Sequence, residues 1–157
     1  MLVNPTAFAG GAGIGAHAYW RINVTAATSA GNYCTIADIQ MRASAGGANQ
    51  CSGGTASADS FYSAGYDASK AFDGVATTNW TSTGAVYPHW IQYAFSSPVS
   101  VAEVAIQVAS GTYGTVNESP KDFTIEYSDN GASWLVAKTI IAGTFWAFSE
   151  QRLYSVP

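Results

Sequence analysis

Charge is scarce in this sequence. Of 157 residues only 10% are charged, six basic and ten acidic, for a formal net charge of −4. So few cations exclude a partner held by its phosphate backbone, since that affinity comes from Lys and Arg releasing counterions, and no nucleic-acid role is expected. Long apolar runs are missing as well. None approaches the roughly 20 residues a helix needs to cross a bilayer, so no membrane insertion is expected. The first cation is Arg21, and the N-terminus therefore lacks the basic region of a secretory signal. Cysteine is limited to Cys34 and Cys51, which excludes a disulfide-built scaffold and leaves either one bridge or two thiols; a reducing cytoplasm favours the thiols. There is no Gly-x-Ser-x-Gly, no His-Glu-x-x-His and no phosphate-cradling glycine loop followed by Lys. Ten carboxylates are enough to flank a glycosidic bond, but no spacing singles out a pair. Catalysis is not expected.

What is present is aromatic and turn-rich. Hydrophobic residues make up 48% of the chain and aromatics 13%, among 16 glycines. That composition suits short strands joined by many turns, in a length that fits one domain. Residues 1–17 read as a Gly- and Ala-rich arm, either a disordered leader or a tether onto a neighbouring subunit. From Tyr19 the period is two: Trp20, Ile22 and Val24 alternate with Arg21, Asn23 and Thr25. The same alternation runs through Ala37-Ile39-Met41, Ile91-Tyr93-Phe95, Val104-Ile106-Val108 and Phe123-Ile125-Tyr127. Ser44 to Ala58 reads as an internal loop, Ala68 to Phe72 as one helical turn, and Asp129-Asn130-Gly131 as a hairpin turn. A last strand is expected from Arg152 to Val156. The whole spells an all-β sandwich over residues 18–157.

The densest stretch is Lys70-Ala71-Phe72-Asp73-Gly74-Val75-Ala76-Thr77-Thr78-Asn79-Trp80. Phe72 and Trp80 can pin both ends of an Asp-Gly turn, with a carboxylate, two hydroxyls and bent carbonyls between them. Hard oxygens on a tight loop are what Ca²⁺ asks for; an ordinary Asp-Gly turn has the same composition. For binding a sugar, an aromatic face and a few polar groups suffice. Tyr62, Tyr66, Tyr87, Tyr113 and Trp146 lie in predicted loops and are the candidates for that face, with His89 and Arg42 as polar partners. Trp20, Trp80, Trp90 and Trp134 lie in or beside strand patterns and read as core.

The Lys70–Trp80 stretch, with Trp90-Ile91-Gln92-Tyr93-Ala94-Phe95 and Ser119 to Trp134, resembles the discoidin family, which includes coagulation factor 5/8 C-domains and family-32 carbohydrate-binding modules. The resemblance implies an antiparallel jelly-roll sandwich of the galactose-binding-domain type. It implies a structural Ca²⁺ held by the Lys70 carbonyl, the Asp73 carboxylate, the Val75 carbonyl and Thr78. The closing ligands would be Asp38 and the Ala37 carbonyl. Residues 18–24 and 35–41 resemble the family's last two strands yet come first, which implies a circular permutant. Permuted modules of this kind resemble those of bacteriophage tails and virions. The expected setting is a phage particle, made in the bacterial cytoplasm, carrying many copies. The expected partners are glycans or, for a structural decoration protein, other virion subunits.

Overall fold

Strand β1 (His17–Ala27) carries the first alternation, and the fold is built outward from it. The computed structural model describes residues 13–29, 31, 33–110, 116–141 and 143–157. Among them it places β2 (Thr35–Ile36), β3 (Asp38–Arg42), β4 (Thr55–Ala58), β5 (Trp80–Thr81), β6 (His89–Val99), β7 (Glu103–Gln107), β8 (Pro120–Ser128), β9 (Leu135–Ile140) and β10 (Gln151–Ser155). A five-stranded sheet in the order β4-β6-β1-β8-β9 faces a three-stranded sheet in the order β10-β7-β3, and β2 pairs with β5 in a separate ribbon. Every pairing is antiparallel. The chain is an all-β sandwich.

Alternation becomes core because β1 is paired on both sides. Ile22 lies opposite Ile91 of β6 and Ile125 of β8, and all three are fully buried. Trp20 and Val24 are buried in the same row of inward positions, and the facing sheet supplies Ile39, Met41, Val104 and Ile106. Phe123 and Tyr154 close one side of the interior edge-to-face, their ring centroids 5.2 Å apart.

The strands differ from the expected ones where pairing overrides local pattern. Thr55–Ala58 lies inside the expected loop but pairs with Ala94–Ile91 of β6. The strand expected around Ala37 is split at that residue, so β2 leaves the sheet to join Trp80–Thr81. Strand β6 runs on through Ser97-Pro98; no partner strand pairs with Pro98, so its missing N–H breaks no ladder bond. Ala68–Ala71 forms a single 3₁₀ turn where one helical turn is expected. Of the expected arm, residues 1–12 lie outside the described residues and His17 already belongs to β1. Cys34 is buried, Cys51 is half-buried, and both are free thiols.

Two of the tryptophans expected in the core lie on the outer face instead. Trp90 pairs with Asn23, an outward position, and Trp134 lies under the Arg21 guanidinium at 4.1 Å. Beneath that stack Arg21 meets Glu126 at 2.6 Å, and Asn23 and Thr124 donate to the same carboxylate. The Lys138 ammonium of β9 donates to the Ser155 carbonyl of β10 at 2.7 Å and links the outer edges of the two sheets.

The core assignment has a direct test in urea unfolding. Ile125→Ala should cost about 2–5 kcal/mol and Ile125→Val about 0.5–1.5 kcal/mol, from lost burial plus the cavity left behind. Leu153→Ala, at an exposed position of β10, should stay within about 0.5 kcal/mol of the parent.

Candidate functional site

The Asp-Gly loop is fixed at both ends as its aromatics suggest. Asp67 accepts from the Ser69 N–H at 2.9 Å and starts the 3₁₀ turn that leads into the loop. Phe72 packs on Tyr93 at 5.0 Å between centroids, and Trp80 is fully buried with its indole N–H donated to the Ser60 carbonyl. Gly74 takes φ +71°, a conformation a side chain would strain. Asp73 then folds back to accept the Val75 N–H at 2.9 Å.

Between these pins the oxygens converge on one hydroxyl. Thr78 Oγ1 lies 2.9 and 2.8 Å from the two Asp73 carboxylate oxygens, 2.8 Å from the Val75 carbonyl and 3.4 Å from the Lys70 carbonyl. A hydroxyl carries one hydrogen and can satisfy one of these acceptors at a time. Asp38 adds a second unmet demand. Its Oδ2 accepts from Gln40 at 2.9 Å, while its buried Oδ1 has no partner. Burial pushes its carboxyl above the ordinary range, and the negative charge of Asp73 adds to the shift. Asp38 and Asp73 therefore lie close enough to repel. Ala37, beside Asp38, is fully buried and donates its N–H to the Gln107 carbonyl. No group of three or more His, Cys, Asp or Glu side chains suited to a metal stands among the described residues, so a cation here would need carbonyls and the Thr78 hydroxyl besides the Asp73 and Asp38 carboxylates.

A second feature is an aromatic cleft of about 220 Å³ lined by Tyr33, Tyr62, Tyr66, Thr81 and Glu118. The rings stand edge-to-face in series, Tyr33 to Tyr62 at 5.6 Å and 70°, then Tyr62 to Tyr66 at 6.0 Å and 81°. Tyr62 is 58% exposed, so its ring is a wall rather than filling. The floor is hydrogen-bonded throughout: Thr35 donates to Glu118 at 2.8 Å and lies 3.1 Å from the Thr81 hydroxyl, which donates to Asn79. Tyr62 and Tyr66 were legible as loop aromatics. Tyr33, Thr81 and Glu118 were not, because they come from distant loops and only the β2–β5 ribbon brings them together.

The remaining expected ligand residues do not join this cleft. His89 lies opposite Val24, an inward position, and is buried, with Nδ1 2.7 Å from Asp59 and Nε2 3.2 Å from the Gly84 carbonyl. It ties the Asp59 and Gly84 loops together. Tyr87 is half-buried against that imidazole and donates its hydroxyl to the Tyr33 carbonyl, supporting the cleft from behind. Trp146 is 4% exposed, its indole N–H bonded to the Pro120 carbonyl and its face covered by Arg152 at 4.0 Å, so it fills the core. Arg42 belongs to β3, where it binds Glu103 at 2.8 Å and Gln40 at 2.7 Å. Tyr113 lies outside the described residues.

The F5/8 type C domain family matches this chain over residues 54–151, more than half of its length. No curated protein and no solved structure matches it.

The division between cleft and core predicts opposite stabilities for two aromatic truncations. Trp146→Ala should lose about 3–5 kcal/mol in chemical denaturation, whereas Tyr62→Ala should stay within about 0.5 kcal/mol. A pH series tests Arg42. The Gly46 N–H first, and then Arg42, hold the Glu103 carboxyl below its ordinary pKa. A depressed carboxyl stabilises the fold above its unfolded-state pKa and loses that contribution as pH falls through the folded one. The stability gap between the parent and Glu103→Gln should therefore be full at neutral pH and shrink on acidification.

Proposed function

This chain belongs to the F5/8 type C domain family, whose domains are ligand-binding modules of carbohydrate-binding type, and we propose that it binds glycans without catalysis from a phage particle. The observation that carries the binding reading is the cleft of Tyr33, Tyr62 and Tyr66. The exposed Tyr33 and Tyr62 and the half-buried Tyr66 around a polar floor offer what a sugar ring needs, a surface for its C–H face and groups to orient its hydroxyls. A single open cleft of this size binds weakly, and many copies on one particle would supply the avidity. The particle is assembled in the bacterial cytoplasm on this reading, which agrees with free thiols at Cys34 and Cys51.

Ca²⁺ staples the loops beneath. Its ligands would be the carbonyls of Lys70, Val75 and Ala37, the carboxylates of Asp73 and Asp38, and Thr78. The crowded acceptors around the Thr78 hydroxyl and the unpartnered Asp38 oxygen fit a hard divalent cation, which would satisfy several of these oxygens at once. The fold is a circular permutant. Support comes from the family match starting at residue 54, after β1–β3, although β1 is the middle strand of the larger sheet. The Ile14 N–H also bonds the Pro157 carbonyl at 3.0 Å, so the described ends meet, as re-cutting requires.

A structural role on the virion is the second reading. It is favoured by Ile141, Phe145 and Phe148, which are 61–75% exposed and suit a neighbouring subunit.

A multivalent glycan array separates the two readings. Binding that falls about tenfold or more in Tyr62→Ala supports the module, and silence at every valency leaves the structural role. Calorimetry of chelator-treated protein should show heat on adding Ca²⁺ and about 2.7 kcal/mol of stabilisation at a hundredfold excess over Kd. Asp73→Asn should abolish both effects.

A further inference from the structure

The tyrosine cleft is charged in one direction only. Its one ionisable group besides the tyrosines is Glu118, and among the described residues no Lys or Arg lines it. The chain's three arginines are committed elsewhere, Arg21 to Glu126, Arg42 to Glu103 and Arg152 to Glu150. Lys138 caps the Ser155 carbonyl, and Lys121 lines a different cavity beside Gly143. Lys70 is the cation nearest along the chain, four residues past Tyr66, and its charge acts on Asp67. Negative charge, by contrast, reaches the residues that support the cleft. Burial pushes the Cys34 thiol, next in the chain to Tyr33, above its ordinary pKa, and the charges of Asp59 and Glu118 push it further.

We propose that this cleft selects a ligand bearing an ammonium group, held by the faces of Tyr33, Tyr62 and Tyr66 and paired with the Glu118 carboxylate. The inference rests on the cleft being the ligand site, as read above. A neutral sugar needs one aromatic face; three rings set at 70° and 81° to their neighbours make adjacent walls. The ring surface left open to the cleft, most of all on the exposed Tyr62, carries the negative side of its π system and attracts a cation whose substituents are apolar. One Glu118 oxygen is occupied by the Thr35 hydroxyl, which fixes the carboxylate at the floor. An acidic sugar would meet that carboxylate with no compensating cation. The ammonium has two natural carriers, an amino sugar with an unacetylated nitrogen and a trimethylammonium headgroup of choline type.

The test is a calorimetric or NMR titration of the whole chain with glucosamine, N-acetylglucosamine, choline and sialic acid at neutral pH. Either glucosamine or choline should bind at least about tenfold more tightly than N-acetylglucosamine, with sialic acid weakest. Whichever of the two cations leads identifies the carrier. In Glu118→Gln, which keeps an acceptor for Thr35, that preference should collapse while the melting temperature holds. If neither glucosamine nor choline binds more tightly than N-acetylglucosamine, the proposal is overturned and the glycan reading stands; a preference that survives Glu118→Gln overturns it equally. If sugars bind the array but Tyr62→Ala leaves their binding intact, the ligand site lies elsewhere and both the cleft assignment and this inference fall. Silence of every ligand, in solution and on the array, overturns the inference and the glycan reading together.

Discussion

Double-sided pairing of β1 is the constraint on which the molecule depends. An edge strand can slip by a residue and keep half of its bonds; a strand locked between β6 and β8 cannot. Its register sets Trp20, Ile22 and Val24 inward against the second sheet, and it sets Arg21 and Asn23 outward. A slip of one residue would bury Arg21 and Asn23 and expose three core side chains. The outward set is itself organised, since Glu126 accepts from Arg21, Asn23 and Thr124 and is only 6% exposed. A carboxylate buried to that degree on a sheet surface is tolerable because its oxygens are so fully bonded.

The same scaffold explains why the candidate site sits at the loops. The two sheets hold the apolar interior, and the β2–β5 ribbon stands apart from both. Thr35 and Thr81 face one another in that ribbon and form the cleft floor, with the tyrosines arriving on loops around it. The Asp-Gly loop leads directly into β5 through Asn79, so whatever orders Asp73 and Thr78 also steadies Trp80 and Thr81. The Asp-Gly loop and the tyrosine cleft are mechanically one unit.

Much of the sheet framework was legible because period-two alternation is a short-range signal. Trp20-Ile22-Val24, Ile91-Tyr93-Phe95 and Phe123-Ile125 all read inward and all are buried. What failed was long-range. Thr55–Ala58 carries almost no apolar signal and becomes a strand only because β6 offers it an edge. Trp146 sits between Phe145 and Phe148, which are both exposed, and nothing local says that Arg152 and Pro120 will enclose it alone of the three. His89 reads as a polar partner for a ligand, yet its register with Val24 turns it inward. At the cleft, aromatic identity revealed Tyr62 and Tyr66 but not Tyr33, whose place depends on a contact between loops far apart in sequence.

The Lys138 contact has a bearing on how crowded copies would behave. Strand β9 ends the larger sheet with Leu135 and Val136 well exposed, a row of open backbone groups suited to recruiting another strand. One ammonium, drawn across to the carbonyl of Ser155, places a charge at the middle of that border. Neutralising it by acetylation would remove the guard without touching the core. Self-association along an unprotected rim, rather than unfolding, would then set the solubility ceiling of the protein.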